Sequence, residues 1–240
     1  MSQDLHLLAF AAHPDDVEIS AGGTVAKMVS MGYRCGIVDL TRGELGTRGS
    51  SDLRDHEAAD SSRILGLSLR ENLGLEDGFF QTDKDSLLAV IRAIRAHRPK
   101  IVLANSVSDR HPDHGKAADL VAKAVFYSGL PKIKTELNGR PQAAHRPEAI
   151  YHYIQDFYIP PAFVVDVTDF FETKMAAIRA FSSQFYDPNS SEPATPISGA
   201  EFYDFLRGRA MQFGRPCRFL YGEGFTVTRP IGVDDVLKLR

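Results

Sequence analysis

Apolar and polar positions alternate in blocks along the first half of the chain. Residues 5–12, LHLLAFAA, form a short unbroken apolar run, the pattern of a parallel strand covered on both faces. A polar loop follows, and Gly22-Gly23-Thr24 opens VAKMVSMG, in which Val25, Met28 and Val29 share one helical face before Gly32 ends it. The order then repeats. CGIVDL (35–40) reads as a strand, DLRDHEAADSSRILG (52–66) and DSLLAVIRAIRAHRP (85–99) as helices, KIVLANS (100–106) as a strand and GKAADLVAKAVFYSG (115–129) as a helix. Strands alternating with helices of this length predict an α/β fold, a Rossmann-like three-layer sandwich whose mostly parallel sheet carries helices on both faces through right-handed crossovers.

From about residue 140 the pattern is less regular. AIYHYI (149–154), AFVVDVT (162–168) and YGEGFTV (221–227) read as strands, FETKMAAIRAFSSQF (171–185) and EFYDFLRGRAMQFG (201–214) as helices, and the Pro/Ser/Asn-rich stretch 187–199 as a lid or mobile segment. Neither a composition break nor a fixed-period repeat divides the chain, so 1–240 is expected to form a single domain.

Composition narrows the partners. With 43% hydrophobic and 25% charged residues in 240, the chain can bury one sizeable core, which excludes fibrous and disordered classes. A formal charge of −3 offers no basic footprint for nucleic acid or an anionic membrane. Neither a signal-like N-terminus nor a long uncharged apolar segment is present, and Cys35 and Cys217 are the only cysteines, so a reducing, cytoplasmic setting is expected.

In open α/β sheets, ligands bind beyond the carboxyl ends of the strands. Two of those loops carry the same tripeptide: His13-Pro14-Asp15 continues into Asp16 after the first strand, and His111-Pro112-Asp113 continues into His114 after the 100–106 strand. A catalytic zinc takes three protein ligands from imidazole nitrogen and carboxylate oxygen and keeps one position open. His13, Asp16 and His114 supply that set, with Asp15 pointing elsewhere. Each residue alone has an ordinary explanation as a helix cap or turn former. The repetition of His-Pro-Asp behind two strands of one sheet is what favours a metal site.

Ala12-His13-Pro14-Asp15-Asp16-Val17-Glu18, together with Arg110-His111-Pro112-Asp113-His114, resembles the LmbE-like, or PIG-L type, zinc N-deacetylases. The likeness extends through Leu40–Gly49, Asp52-Leu53-Arg54 and Ser183-Gln184-Phe185 to Tyr221-Gly222-Glu223-Gly224-Phe225, and is greatest for bacillithiol biosynthesis deacetylases, which act on N-acetylglucosaminyl malate. Gly222 departs from the pattern, where alanine is expected. The resemblance implies zinc on His13, Asp16 and His114, with Asp15 as general base and His111 as electrophilic partner. A protonated His111 oriented by Asp113 would then stabilise the charge developing on the acetyl oxygen.

Arg54 and Arg110, the cations nearest the motifs, are candidates for the malate carboxylates, and the resemblance favours the same pair. Glu44, Arg48, Arg140, Gln184 and Tyr186 are weaker lining candidates. Glu18, Phe157, Tyr158, Phe170 and Phe171 read as packing. Family likeness also implies a homo-oligomer acting on a small-molecule N-acetylglucosaminyl substrate. The rival readings are a deacetylase of another N-acetyl sugar, a metal-dependent phosphatase, and a sugar-binding protein with structural zinc. Paired imidazoles disfavour magnesium, and the absence of cysteine near the motifs disfavours a closed structural site.

Overall fold

The computed structural model describes residues 4–238. Its elements run β1 (Leu7–Ala11), α1 (Asp16–Ser30), β2 (Cys35–Asp39), α2 (Ser51–Leu65), β3 (Leu69–Asn72), α3 (Lys84–His97), β4 (Ile101–Ala104) and α4 (Pro112–Ser128), then the hairpin strands β5 (Glu136–Leu137) and β6 (Arg140–Pro141). The chain continues through β7 (Ala149–Tyr153), β8 (Phe163–Asp166), α5 (Phe171–Arg179), α6 (Glu201–Gly214) and β9 (Gly222–Val227).

Among the described residues, seven strands form one sheet in the order β3-β2-β1-β4-β7-β9-β8. Pairing is parallel from β3 across to β7, while β9 runs antiparallel to both β7 and β8. The α/β expectation therefore holds, with one reversed strand in the C-terminal part. β1 is buried along its whole length because both faces are covered. Leu8 and Phe10 turn into the layer shared with α3 and α4, while Leu7, Ala9 and Ala11 turn towards α1 and α5. A third apolar cluster, built on Phe171, Met175, Phe181, Phe185, Phe202 and Leu206, joins α5 to α6.

Four local expectations are corrected. Helix α1 begins at Asp16, so Gly22 and Gly23 sit inside it and do not open it. Their place there is set by close approach: a Cβ on Gly23 would lie 2.8 Å from Val167 Cβ, and the Gly23 and Thr24 N–H groups donate to the Glu223 carboxylate at 3.0 and 2.7 Å. Strand β3, LREN, is an edge strand with mixed burial, and its polar sequence hides it from an apolar-run reading. Helix α5 stops at Arg179, and turns occupy the remainder of the predicted 171–185 helix.

The fourth correction concerns Phe157 and Tyr158, two of the residues read as packing. Glu18 is buried in an ion pair, its Oε1 2.5 Å from Arg70 Nη1, and Arg70 also grips Asp39. Phe171 is buried, but Phe157 and Tyr158 are exposed. Gly222, the departure from the family pattern, is explained by crowding: an added Cβ would lie 2.5 Å from Val164 Cγ1. Among the described residues, no helix is long and apolar enough to cross a membrane.

Candidate active site

The carboxyl ends of β1, β4 and β7 lie side by side, and the residues that follow them meet in one crevice. After β1, the chain turns sharply at Asp15, whose φ of 119° lies where non-glycine residues are strained. Asp16 then starts α1, and its carboxylate is the junction of the site. Oδ2 accepts from the His13 N–H at 2.9 Å and from Asn105 Nδ2 at 2.9 Å, while Oδ1 accepts from Gln155 Nε2 at 3.0 Å and lies 3.0 Å from His114 Nε2. His13 Nδ1 is 3.7 Å from Asp16 Oδ2.

Carboxylates hold the far side of both imidazoles. His114 Nδ1 is 2.5 Å from Asp109 Oδ2, and His13 Nε2 is 3.0 Å from Asp77 Oδ1 and 3.4 Å from Asp113 Oδ2. Such outer carboxylates fix the orientation of metal-binding imidazoles. His13, Asp16, Asp77, Asp113 and His114 are all buried. One ring nitrogen each from His13, His111 and His114 lie within 4.8 Å of one another.

Charge explains what this cluster needs. Burial works against a protonated His13, yet Asp113, Asp77 and Asp16 together push it up to about 10. His114 is likewise raised to about 9 by Asp16 and Asp109 against the effect of burial. Asp16 is held well below the usual carboxylate range: burial opposes this, but His114 and His13 outweigh it. Two imidazoles among four carboxylates thus call for positive charge. A divalent transition metal, for which imidazole and carboxylate are suitable donors, meets that demand without the protons, so the residues fit such an ion.

Asp15 is different. Buried at the crevice wall and without a hydrogen bond to its carboxylate among the described residues, it is pushed up to about 7, first by burial and further by Asp16, although Arg54 pulls the other way. His111 is half-buried and caps α4, its Nδ1 accepting the Asp113 N–H at 3.3 Å. Burial, then the charges of His13 and His114, lower its pKa.

This corrects two expectations. The cap contact at Nδ1 and the lowered pKa both work against a protonated ring, where one was expected. The Asp113 carboxylate serves His13, the Gly78 N–H and Lys116, and meets His111 only through its backbone. Asp113 reaches back because it sits in the first turn of α4, alongside His13.

The crevice encloses about 360 Å³. Arg54 lines it, buried, with its guanidinium donating to Gln184 Oε1; Arg110 stands at its wall half in solvent, paired to Asp156 at 2.8 Å. Of the weaker candidates, only Gln184 reaches the wall. Glu44 accepts the Asp77 and Arg42 N–H groups; Arg48 lies behind the wall; Arg140 is in the β5–β6 hairpin; Tyr186 is exposed elsewhere. The 187–199 segment is tied to Arg48 through Glu192 and Ser190, at 3.4 and 2.7 Å, and contributes Thr195, Pro196 and Ile197 to the wall.

Sequence reasoning missed Asp77, Asn105, Asp109 and Gln155. The strand-end rule points to the last three, which follow β4 and β7, whereas Asp77 has no local signature.

Residues 8–125 match the family model described as PIG-L: GlcNAc-PI de-N-acetylase. The chain is 29% identical to the diacetylchitobiose deacetylase of Thermococcus kodakarensis, with 91% of this chain and 81% of the relative aligned. It is 25% identical to the "Probable N-acetyl-alpha-D-glucosaminyl L-malate deacetylase 2" of Bacillus cereus, over 75% of this chain and 83% of that protein. The crystal structure of the conserved protein TT1542 from Thermus thermophilus superposes with a TM-score of 0.85 at 34% identity, covering 95% of this chain and 97% of that one.

Proposed function

The chain belongs to the PIG-L family of de-N-acetylases, and on that footing we propose that it hydrolyses the acetamido group of an N-acetylglucosaminyl conjugate, releasing acetate and a free amine. The observation that carries this reading is the convergence of two imidazoles and one carboxylate beside Asp15, an uncommitted carboxylate facing the same crevice. Relatives named for diacetylchitobiose and for N-acetylglucosaminyl malate support an N-acetylglucosamine unit at the reacting end. N-acetylglucosaminyl malate is the finer proposal, with Arg54 and Arg110 taking its carboxylates.

His13, Asp16 and His114 would hold the ion, zinc by its fit to this donor set. A bound zinc supplies Lewis acidity and makes a water acidic enough to attack an amide near neutral pH. Asp15, with its pKa pushed to about 7, takes a proton from the attacking water and returns it to the departing amine nitrogen. His111 donates its Nε2–H to the acetyl oxygen as negative charge builds there. Asp77, Asp109 and Asp113 keep the two ligand rings in place.

The substrate is tested by measuring free amine and acetate from N-acetylglucosaminyl malate, diacetylchitobiose and free N-acetylglucosamine at equal concentration. The malate conjugate is expected to have the highest kcat/KM. A preference for diacetylchitobiose would move the assignment to an uncharged aglycone and leave the de-N-acetylation reading intact. Release from none of the three would contradict that reading.

A further inference from the structure

We propose that Gln155, at the end of β7, is a positioning residue that fixes which lone pair of Asp16 Oδ1 is offered to the metal ion; this rests on the reading of His13, Asp16 and His114 as the ligand set. Which way its amide faces follows from neighbouring main-chain groups. The Ser106 backbone N–H can only donate, and it lies 3.1 Å from Gln155 Oε1. Asn105 Nδ2 donates to the same oxygen at 3.0 Å, and Asn105 is itself oriented because the Ala12 N–H donates to its Oδ1 at 2.9 Å. The oxygen of Gln155 is therefore turned away from the site, and its NH₂ group faces Asp16 Oδ1 at 3.0 Å and His114 Nε2 at 3.5 Å. Gln155 cannot be a ligand in this orientation. It acts through Asp16.

Counting lone pairs gives the consequence. Oδ2 of Asp16 already accepts two hydrogen bonds, from the His13 N–H and Asn105 Nδ2. Oδ1 accepts one, from Gln155, so a single lone pair remains, on the side of His114 Nε2. That lone pair is the one left for an ion, and Asp16 is held to one-oxygen ligation. Asn105 and Gln155 are both buried. The three adjacent strands β1, β4 and β7 thereby contribute Asp16, Asn105 and Gln155 to one locked unit.

The test uses the full-length chain stripped of metal and reloaded with Zn²⁺ or Co²⁺. Zinc affinity is measured by competition with a chromophoric chelator, and the coordination sphere is read from the visible absorption of the cobalt form. Gln155→Leu removes the donor, and the loss of an outer-shell partner is expected to weaken zinc roughly 10–100-fold. The cobalt bands are expected to shift as Oδ1, released from Gln155, presents a different lone pair to the ion, while Oδ2 keeps its two donors. Gln155→Glu retains the acceptor for Ser106 and Asn105, and so protects the fold should the leucine variant fail to express. It replaces the donor with an oxygen, and a cobalt spectrum displaced from wild type is expected. A purely structural role would lower the melting temperature of the metal-free variants while leaving zinc affinity and the cobalt spectrum unchanged. That result in either folded variant overturns the proposal. His114→Ala serves as the reference: wild-type zinc affinity there would overturn the ligand reading, and this proposal with it.

Discussion

Asp15 and Asp16 are consecutive carboxylates held in opposite electrostatic states. Asp16 receives hydrogen bonds from His13, Asn105 and Gln155, faces His114, and is held well below the ordinary carboxylate range, its ion partners outweighing its burial. Asp15 accepts none of these hydrogen bonds, and burial pushes it up to about 7. The strained φ of 119° at Asp15 separates the two side chains, one held among hydrogen-bond donors and imidazoles and the other without a hydrogen bond among the described residues. On the proposed reading, two groups of one chemistry take two roles, as pairs of active-site carboxylates do when their surroundings differ.

Substitutions that exchange carboxylate for amide should separate those roles. Asp15→Asn is expected to retain stoichiometric metal while kcat falls roughly 10²–10⁴-fold, the usual loss on removing a general base. Asp16→Asn is expected to lose metal. Elemental analysis alongside kinetics checks both, and near-normal turnover by metal-loaded Asp15→Asn would exclude Asp15 as the base.

Stability of the metal-free protein should depend on pH through His13 and His114. Both have folded pKa values, about 10 and about 9, above the ordinary 6.5. Their stabilisation is complete below 6.5 and is lost as pH rises through 9 and 10. Asp15, raised to about 7, acts in the same direction, its contribution fading as pH rises from about 4 to 7. Thermal melts of the metal-free chain between pH 6.5 and 10 should show a falling melting temperature. With zinc bound, the imidazole protons are displaced and this dependence should largely vanish.

Much of this site is legible in the amino-acid sequence because two strand-end loops repeat His-Pro-Asp, and strand ends are where such sheets place ligands. His13, Asp16 and His114 are brought together around the Asp16 carboxylate. The sequence does not disclose Asp77, which reaches His13 from the β3–α3 loop through tertiary packing alone. The protonation of His111 is equally hidden, since it depends on the ring capping α4 and on neighbouring charges. In the fold, β3 escapes detection because an edge strand needs no apolar run, and the start of α1 is masked by Gly22 and Gly23, which look like a boundary but serve close packing.

Arg54 lies beside Asp15 as well as in the crevice wall, which gives its removal two readouts. Its charge lowers the Asp15 pKa, so Arg54→Ala should move the ascending limb of the kcat/KM pH profile to higher pH. If it also holds a malate carboxylate, the malate conjugate should lose roughly 10–150-fold in kcat/KM, equivalent to about 1.5–3 kcal/mol, beyond any loss with free N-acetylglucosamine. Equal losses on both substrates, with no pH shift, would reduce Arg54 to a packing residue.

Gly43 is the surface on which Arg54 rests. Its φ is +65°, and an added Cβ would collide with Arg54 Nη1. Gly43→Ala is expected to cost about 1–3 kcal/mol of stability from backbone strain and the displaced guanidinium. The Arg54→Ala background should relieve part of that loss, which a double-mutant cycle on denaturant unfolding measures.

The measurement that bears most directly on the proposed chemistry is acetate release from N-acetylglucosaminyl malate and diacetylchitobiose by metal-stripped protein, before and after one equivalent of zinc, in wild type and in His114→Ala. Equal amounts of acetate and free amine are expected from wild type only after zinc is restored, and from His114→Ala under neither condition. Full release by the stripped protein, or restored release by His114→Ala, would contradict de-N-acetylation centred on His13, Asp16 and His114.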